Sequence, residues 1–415
     1  MTMSHRVRLL SVLIALITQS VLAEDKLPVV YQSQLAGKDI VLTFSKLESF
    51  GDDGESKPQI KARYFYRHIG KTIPLVLQSD GKLVECIETF NDLDCSKPTG
   101  FWQVDLPQEN QPPERVSAKW QANAQSKLSP VELRLTTGQQ SLNLGAWQTL
   151  LGSGPTKLVG IKEMNGVTAG FLMDTRSGAK VPQLVSGLAQ DVMQAFNAQF
   201  KLELLGLAAA RLENHSLDGR EYDNSSIHYV SKKILTLGGG SGGYYGGAHS
   251  VDGYGSSTLD IETGKSVDVR TTFFKHLSAK DVSPFISKHG FITIPGKFLK
   301  RKQTIESLTL LELSRFPASK TPSAKEQATG DQTRADCFEE WKNGLLYSMD
   351  DGLPDLDAHK WGDRIGFSFE FMPTRTGLAI YTNDTAEANR GCRGVMFVIP
   401  WKKVQRYIVM PLDDE

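Results

Sequence analysis

Between Tyr31 and about Leu144 the chain is cut into short alternating runs separated by turn residues, and this rhythm constrains the fold more than any other feature. The runs are Ile40 to Phe44, Lys61 to Tyr66, Ile73 to Leu77, Lys82 to Ile87, Phe101 to Val104, Val116 to Trp120 and Val131 to Leu135. Seven short strands at near-regular spacing predict an all-β small barrel or sandwich. The intervening residues agree: FGDDGESK from Phe50 is polar with glycine, Ser79-Asp80-Gly81 suits a hairpin, and Lys97-Pro98-Thr99-Gly100 breaks pairing before Trp102. In Lys61 to Tyr66 a strand puts Ala62, Tyr64 and Tyr66 on one face and Arg63 and Phe65 on the other, an arrangement suited to core and cross-strand packing.

The period changes after Val181. Leu184, Leu188, Val192, Ala195 and Phe196 recur at three- and four-residue steps, which predicts an amphipathic helix running toward Leu212 with Pro182 in its first turn. Strands are expected at Ile227 to Leu237 and Ser257 to Ile261, and helices at Val282 to His289 and Thr304 to Leu313. The polar stretch Ala318 to Gln332 reads as a mobile loop. Strands at Ile365 to Met372, Gly377 to Tyr381 and Val395 to Ile399 and a short helix Trp401 to Tyr407 behind Pro400 close the chain. The expected organisation is a β-domain over 24–148 and an α+β domain over 149–415, with the boundary falling somewhere between 138 and 180.

Within the second half, LTLGGGSGGYYGGAHSVDGYGSSTLDIETGK from Leu235 to Lys265 packs glycines around Tyr244, Tyr245, His249 and Tyr254. A linker would space its glycines among small polar residues; this pattern, ending in the alternation Leu259-Asp260-Ile261 and the turn Thr263-Gly264-Lys265, predicts a shaped hairpin. Gly238, Gly240 and Gly243 match the G-x-G-x-x-G spacing of a dinucleotide site, but that site requires a helix next, and Tyr244-Tyr245-Gly246-Gly247 is a poor helix start. The alternative is that glycine lets backbones approach closely here. No cofactor is implied.

The first 23 residues combine His5, Arg6 and Arg8 with the apolar run Leu9 to Val21 and the small-residue pattern Val21-Leu22-Ala23, which reads as a secretory signal peptide. The run is shorter than the roughly 20 apolar residues that cross a bilayer, so no membrane span is expected after cleavage and the mature protein is expected to be periplasmic or secreted. Cleavage removes two of the 47 Lys+Arg and none of the 47 Asp+Glu, leaving a net charge of −2 and no basic face for nucleic acid. The run Lys297 to Lys302 (KFLKRK) reads as a solvated helix end or loop. Export would also place Cys86, Cys95, Cys337 and Cys392 where disulfides persist. Three pairings are open, of which Cys86 with Cys95 and Cys337 with Cys392 respects the expected domain split. No C-x-x-C spacing or neighbouring histidine pair suggests zinc, and no metal is expected.

Several segments carry a resemblance. Tyr244-Tyr245-Gly246-Gly247-Ala248-His249, Leu259 to Lys265 with Phe273-Phe274, the hairpin Phe367-Ser368-Phe369 to Leu378-Ala379-Ile380-Tyr381, and Val398-Ile399-Pro400-Trp401-Lys402-Lys403-Val404 are similar to the RsiV-like extracellular domain family, over roughly Gln183 to Tyr407. That domain forms the outer part of a lysozyme-sensing anti-sigma factor and precedes the catalytic domain of a peptidoglycan deacetylase. The resemblance implies an α+β fold and an exported protein that binds a lysozyme-like protein or peptidoglycan. Between its last strands the family often carries a Pro-Tyr-rich turn, where this chain has Asn383 to Gly394. Neither the anti-sigma membrane span nor the deacetylase domain is expected here.

The residues expected to make contacts are Tyr244, Tyr245, His249 and Tyr254, as exposed aromatic edges on a glycine backbone. No catalytic residue is assigned. A non-catalytic binding role is the first expectation. A cell-envelope hydrolase or deacetylase using His249 with Asp252 or Asp260, and a structural envelope component, are the alternatives. His215 and His228 lack the local context of His249. Asp350, Asp351, Asp355 and Asp357 do not match the twelve-residue calcium loop and read as a solvated turn.

Overall fold

The computed structural model describes residues 29–44, 60–88, 93–105, 112–136, 145–213, 221–243, 251–282, 296–313, 370–382 and 394–413. The chain divides into two compact units, Met1–Pro155 with Leu205–Ser216, and Thr156–Leu204 with Leu217–Glu415. No described helix is long and apolar enough to cross a membrane.

The first unit holds β1 (Val29–Leu35), β2 (Lys38–Phe44), β3 (Ile60–Tyr66), β4 (Thr72–Leu77), β5 (Leu83–Glu85), the two-residue pair β6 (Ile87–Glu88) and β7 (Leu93–Asp94), then β8 (Phe101–Val104), β9 (Arg115–Gln121) and β10 (Ser129–Leu135). Eight of these close a barrel in the order β1-β2-β3-β4-β5-β8-β9-β10, every neighbouring pair antiparallel. Closure pairs every edge strand, which an open sheet cannot do. All seven expected strands are present. The eighth, β1, was not isolated from the sequence because Gln32, Ser33 and Gln34 interrupt its apolar residues.

Alternation decides which side chains fill the barrel. Tyr31, Leu35, Ile40, Leu42, Ala62, Tyr64, Leu75, Leu83, Trp102, Val116, Ala118, Val131 and Leu133 form the inner core. The opposite faces of β1, β2 and β3 present Val30, Val41 and Phe65, which pack with Trp147 and Leu151 of the helix Ala146–Gly152 and with Ala209 and Leu212 of the helix Gln190–Glu213. Phe65 meets Trp147 edge-on, with ring centroids 4.9 Å apart, and Trp147 Nε1 donates to Glu213 Oε1 at 2.8 Å. Burying a side chain such as Phe65 stabilises the fold by about 1.5–3 kcal/mol.

Among its described residues the second unit has three small antiparallel sheets. The first is β11 (Thr156–Met164), β12 (Val167–Asp174) and β13 (Lys180–Ser186). The second pairs β16 (Ile234–Gly243) with β14 (Glu221–Asp223), β15 (Ser226–Val230) and β17 (Val251–Asp260). The third is β18 (Glu370–Pro373), β19 (Gly377–Thr382) and β20 (Gly394–Pro400), followed by the helix Trp401–Val404 and a 3-10 turn Gln405–Tyr407. Tyr229, Ile234, Phe273, Phe274, Ile305, Leu308, Phe371, Ile380, Ile399 and Val404 share one core. The basic run from Lys297 forms the short helix Gly296–Arg301, and Thr304 precedes the helix Ile305–Leu313.

Two expectations are corrected. Val181 to Ser186 is strand, not the first turns of a helix: Val181 and Leu184 are buried from β13, and Pro182 pairs with Phe171. β13 is an edge strand, where proline is tolerated. The helix starts at Gln190, and its Asn197 amide covers the strand edge by accepting from Leu184 N at 2.8 Å and donating to Leu184 O at 2.9 Å. The single strand expected from Ile227 to Leu237 is instead a hairpin. Ser231 Oγ accepts from the backbone N–H groups of Lys233 and Ile234 and turns the chain between β15 and β16.

Candidate functional site

The glycine-rich segment is a hairpin whose strands β16 and β17 pair over ten positions, from Ile234↔Asp260 to Gly243↔Val251. Gly238, Gly240 and Gly243 therefore lie within a strand, extended where the phosphate cradle needs a tight turn. Close approach accounts for two of the glycines. A Cβ on Gly238 would meet Met372 Sδ and the His228 ring, and one on Gly239 would meet the backbone of Asn224 and Ser225.

Of the four expected contact residues, Tyr244, Tyr245 and His249 lie outside the described residues. Tyr254 is half-buried and meets Tyr381 edge-on, with ring centroids 5.6 Å apart, beside Met372, Ala379 and Val395. Tyr381 donates to Glu370 Oε2 at 3.2 Å and accepts from Ser256 Oγ at 3.0 Å; burial pushes its phenol up to about 12. His228 Nε2 sits 3.1 Å from Ser226 Oγ and 3.2 Å from Gly238 O, and burial holds its imidazole below the ordinary range. Asp260 is committed to its turn, accepting from Thr263 N at 2.7 Å and Thr263 Oγ1 at 2.8 Å.

Cys86 and Cys95 form a disulfide. Cys337 and Cys392 lie outside the described residues, as do His215 and the aspartates from Asp350 to Asp357. Among the described residues no group of three or more His, Cys, Asp or Glu side chains is placed to hold a metal ion.

A cleft of about 1050 Å³ opens elsewhere in the second unit. Its first wall is the β11–β12 turn, where Asn165 and Gly166 take φ of 51° and 72°. An Asn-Gly pair adopts this left-handed geometry readily and matches the twist of the flanking strands. Asn165 Nδ2 donates to Val230 O at 2.9 Å, which holds the turn against β15. Glu163 stands beside it on β11.

A second wall is Trp401, which follows β20. Its Nε1 donates to Thr374 O at 3.0 Å, and its ring lies 5.9 Å from that of Tyr229 at a 57° tilt. Gln405 and Arg375 line the cleft nearby, and Arg375 is carried on the β18–β19 turn by a backbone hydrogen bond to His228 O at 3.1 Å.

The floor is Tyr229. Burial and the neighbouring Asp413 carboxylate push its phenol well above its ordinary value, while Asn165 and Ser231 act in the opposite sense. Ser231 Oγ donates to Leu412 O at 2.7 Å, and Val409 N donates to Phe273 O at 2.8 Å, so the segment Ile408 to Asp413 is tied to the core.

Chemically, the cleft offers a rigid aromatic wall, two carboxylates, two amides and one guanidinium. None of its lining side chains is a histidine, serine or cysteine. It is suited to holding a ligand. Sequence reading missed this site because its residues come from positions between 163 and 413. The Asn165-Gly166 pair between alternating runs was the one local signal that could have marked it.

No protein-family model matches the chain, and no curated protein matches it.

Proposed function

We propose that this chain is an exported, non-catalytic binding protein, an RsiV-like α+β domain preceded by a β-barrel, which engages an extracellular partner through its second unit. The single observation that carries the reading is the cleft between the Asn165-Gly166 turn and Trp401, with Tyr229 at its floor. A concave site with an aromatic wall and a few converging polar groups suits a ligand that enters it, so a cell-wall glycan is favoured over the broad face of a folded protein such as lysozyme. Further support comes from the glycine-rich hairpin and the closing strand and helix through Val404, the segments on which the family resemblance rests.

The test is retention of the purified protein on insoluble peptidoglycan, with immobilised lysozyme in parallel. Retention on peptidoglycan, at least tenfold weaker for Trp401→Ala, is expected. Turnover of peptidoglycan that is abolished by His249→Ala would overturn the non-catalytic reading in favour of an envelope hydrolase or deacetylase.

A further inference from the structure

We infer that the cleft beside Trp401 takes a short neutral oligosaccharide and discriminates against anionic ones, an inference that rests on the binding reading above. Four observations lead to it. The Trp401 indole N–H is already spent on Thr374 O, and its ring is braced by Tyr229, so what the wall presents is an apolar face of fixed orientation. A pyranose ring has such a face in its axial C–H groups, and an aromatic platform whose polar handle is engaged elsewhere pairs with it.

The polar groups facing this wall are mixed. Glu163 and Asp413 accept, Arg375 donates, and the Asn165 and Gln405 amides carry both functions. Sugar hydroxyls both donate and accept, so they can satisfy such a set in pairs. Among the described lining residues the charges sum to −1, two carboxylates against one guanidinium, with no lysine. A phosphate or uronate would meet net repulsion, which excludes nucleotides and acidic glycans as the preferred occupants.

The walls combine the end of the edge strand β11, at Glu163 and Met164, with the Asn165-Gly166 turn, the turn carrying Arg375 and the 3-10 turn at Gln405. The volume of about 1050 Å³ lies just above the roughly 300–1,000 Å³ of small-ligand sites, room for more than one sugar ring.

The experiment titrates the full chain with triacetylchitotriose and, separately, with trigalacturonate, following tryptophan fluorescence and saturation-transfer NMR. Saturable binding of the neutral trisaccharide is expected, with trigalacturonate at least tenfold weaker. Glu163 is exposed, so Glu163→Gln keeps the fold; it should narrow that preference by several-fold through gained affinity for the anion. Trp401→Phe retains an aromatic wall and should weaken the neutral ligand by a few-fold, whereas Trp401→Ala should abolish binding. Equal affinity for the two trisaccharides, or indifference of the preference to Glu163→Gln, overturns the inference. If the protein is retained on peptidoglycan or lysozyme but binds neither trisaccharide, the ligand assignment fails and the binding reading stands. If nothing is bound in any of these assays, both fail.

Discussion

The Trp120 indole N–H donates to Glu85 Oε1 at 2.8 Å inside the closed barrel, and it is one of four donors that this carboxylate accepts. Tyr64 Oη at 2.7 Å and Trp102 Nε1 at 3.0 Å share the same oxygen, and Thr99 Oγ1 donates to Oε2 at 2.9 Å. Glu85 is 3% exposed, so the donors stand in for the water it has lost. Glu85→Leu would strip the acceptor from all of them, at about 1–3 kcal/mol for each donor left unpaired. Glu85→Gln retains a carbonyl oxygen for Tyr64 and the two tryptophans, and Thr99 can turn its hydroxyl to accept from the new amide. Glu85→Leu is therefore expected to lower stability by several kcal/mol and Glu85→Gln by much less, measured by denaturant unfolding. Equal losses would show that the hydrogen bonds are not what the position requires.

Gly238 and Gly255 occupy the same hairpin and should respond oppositely to alanine. The methyl of Gly238→Ala meets Met372 Sδ and the His228 ring, and Met372 is fully buried, so a loss of about 1–3 kcal/mol is expected. Gly255 has open space where a Cβ would sit, and Gly255→Ala should be neutral or gain a few tenths of a kcal/mol by restricting the unfolded chain. Thermal midpoints of the two variants decide the matter.

His228 makes the second unit sensitive to acid. Its folded pKa lies below the ordinary 6.5 because burial disfavours the charged ring, so as the pH falls below 6.5 the unfolded chain takes up a proton before the folded one does. The stability associated with the neutral ring is complete above 6.5 and is lost as the pH falls through the folded pKa. The slope cannot exceed about 1.4 kcal/mol per pH unit for this one group. His228→Gln should flatten the difference in unfolding midpoint between pH 7 and pH 5, and an unchanged difference would exclude His228 as its source.

The disulfide between Cys86 and Cys95 links residues nine apart in sequence, at the end of β5 and beyond β7. Closing so short a loop restricts the unfolded chain by about 2.7 kcal/mol in the chain-entropy treatment. The double variant Cys86→Ala, Cys95→Ala should lower barrel stability by up to that amount. The tryptophans at Glu85 report the transition by fluorescence, and a midpoint equal to that of the unaltered protein would refute the expectation.

Much of the barrel was legible because period-two alternation is a local signal: Ala62, Tyr64 and Tyr66 face inward and Phe65 outward, as their order implies. Glu85 was not legible as an interior residue. A glutamate in a strand ordinarily faces water, and only the convergence of β3, β8, β9 and the Thr99 turn supplies its four donors. Pro182 misled for a related reason, since its fitness for a helix start and its tolerance on an edge strand look alike until the neighbouring strand is known. The cleft was harder still, because Asn165, Tyr229, Arg375 and Trp401 have no spacing in common.

What the sequence determined by itself was seven of the eight strands that close the barrel, the glycine-rich hairpin and the short helix behind Pro400, because alternation, turn chemistry and backbone restrictions act over a few residues. Tertiary structure alone decided that the strands close on a buried carboxylate, that Gly238 lies against Met372, and that Trp401 and the Asn165 turn line one cleft. Those relations depend on contacts between residues tens to hundreds of positions apart, and no local pattern encodes which distant side chains will share one small volume once the chain has packed.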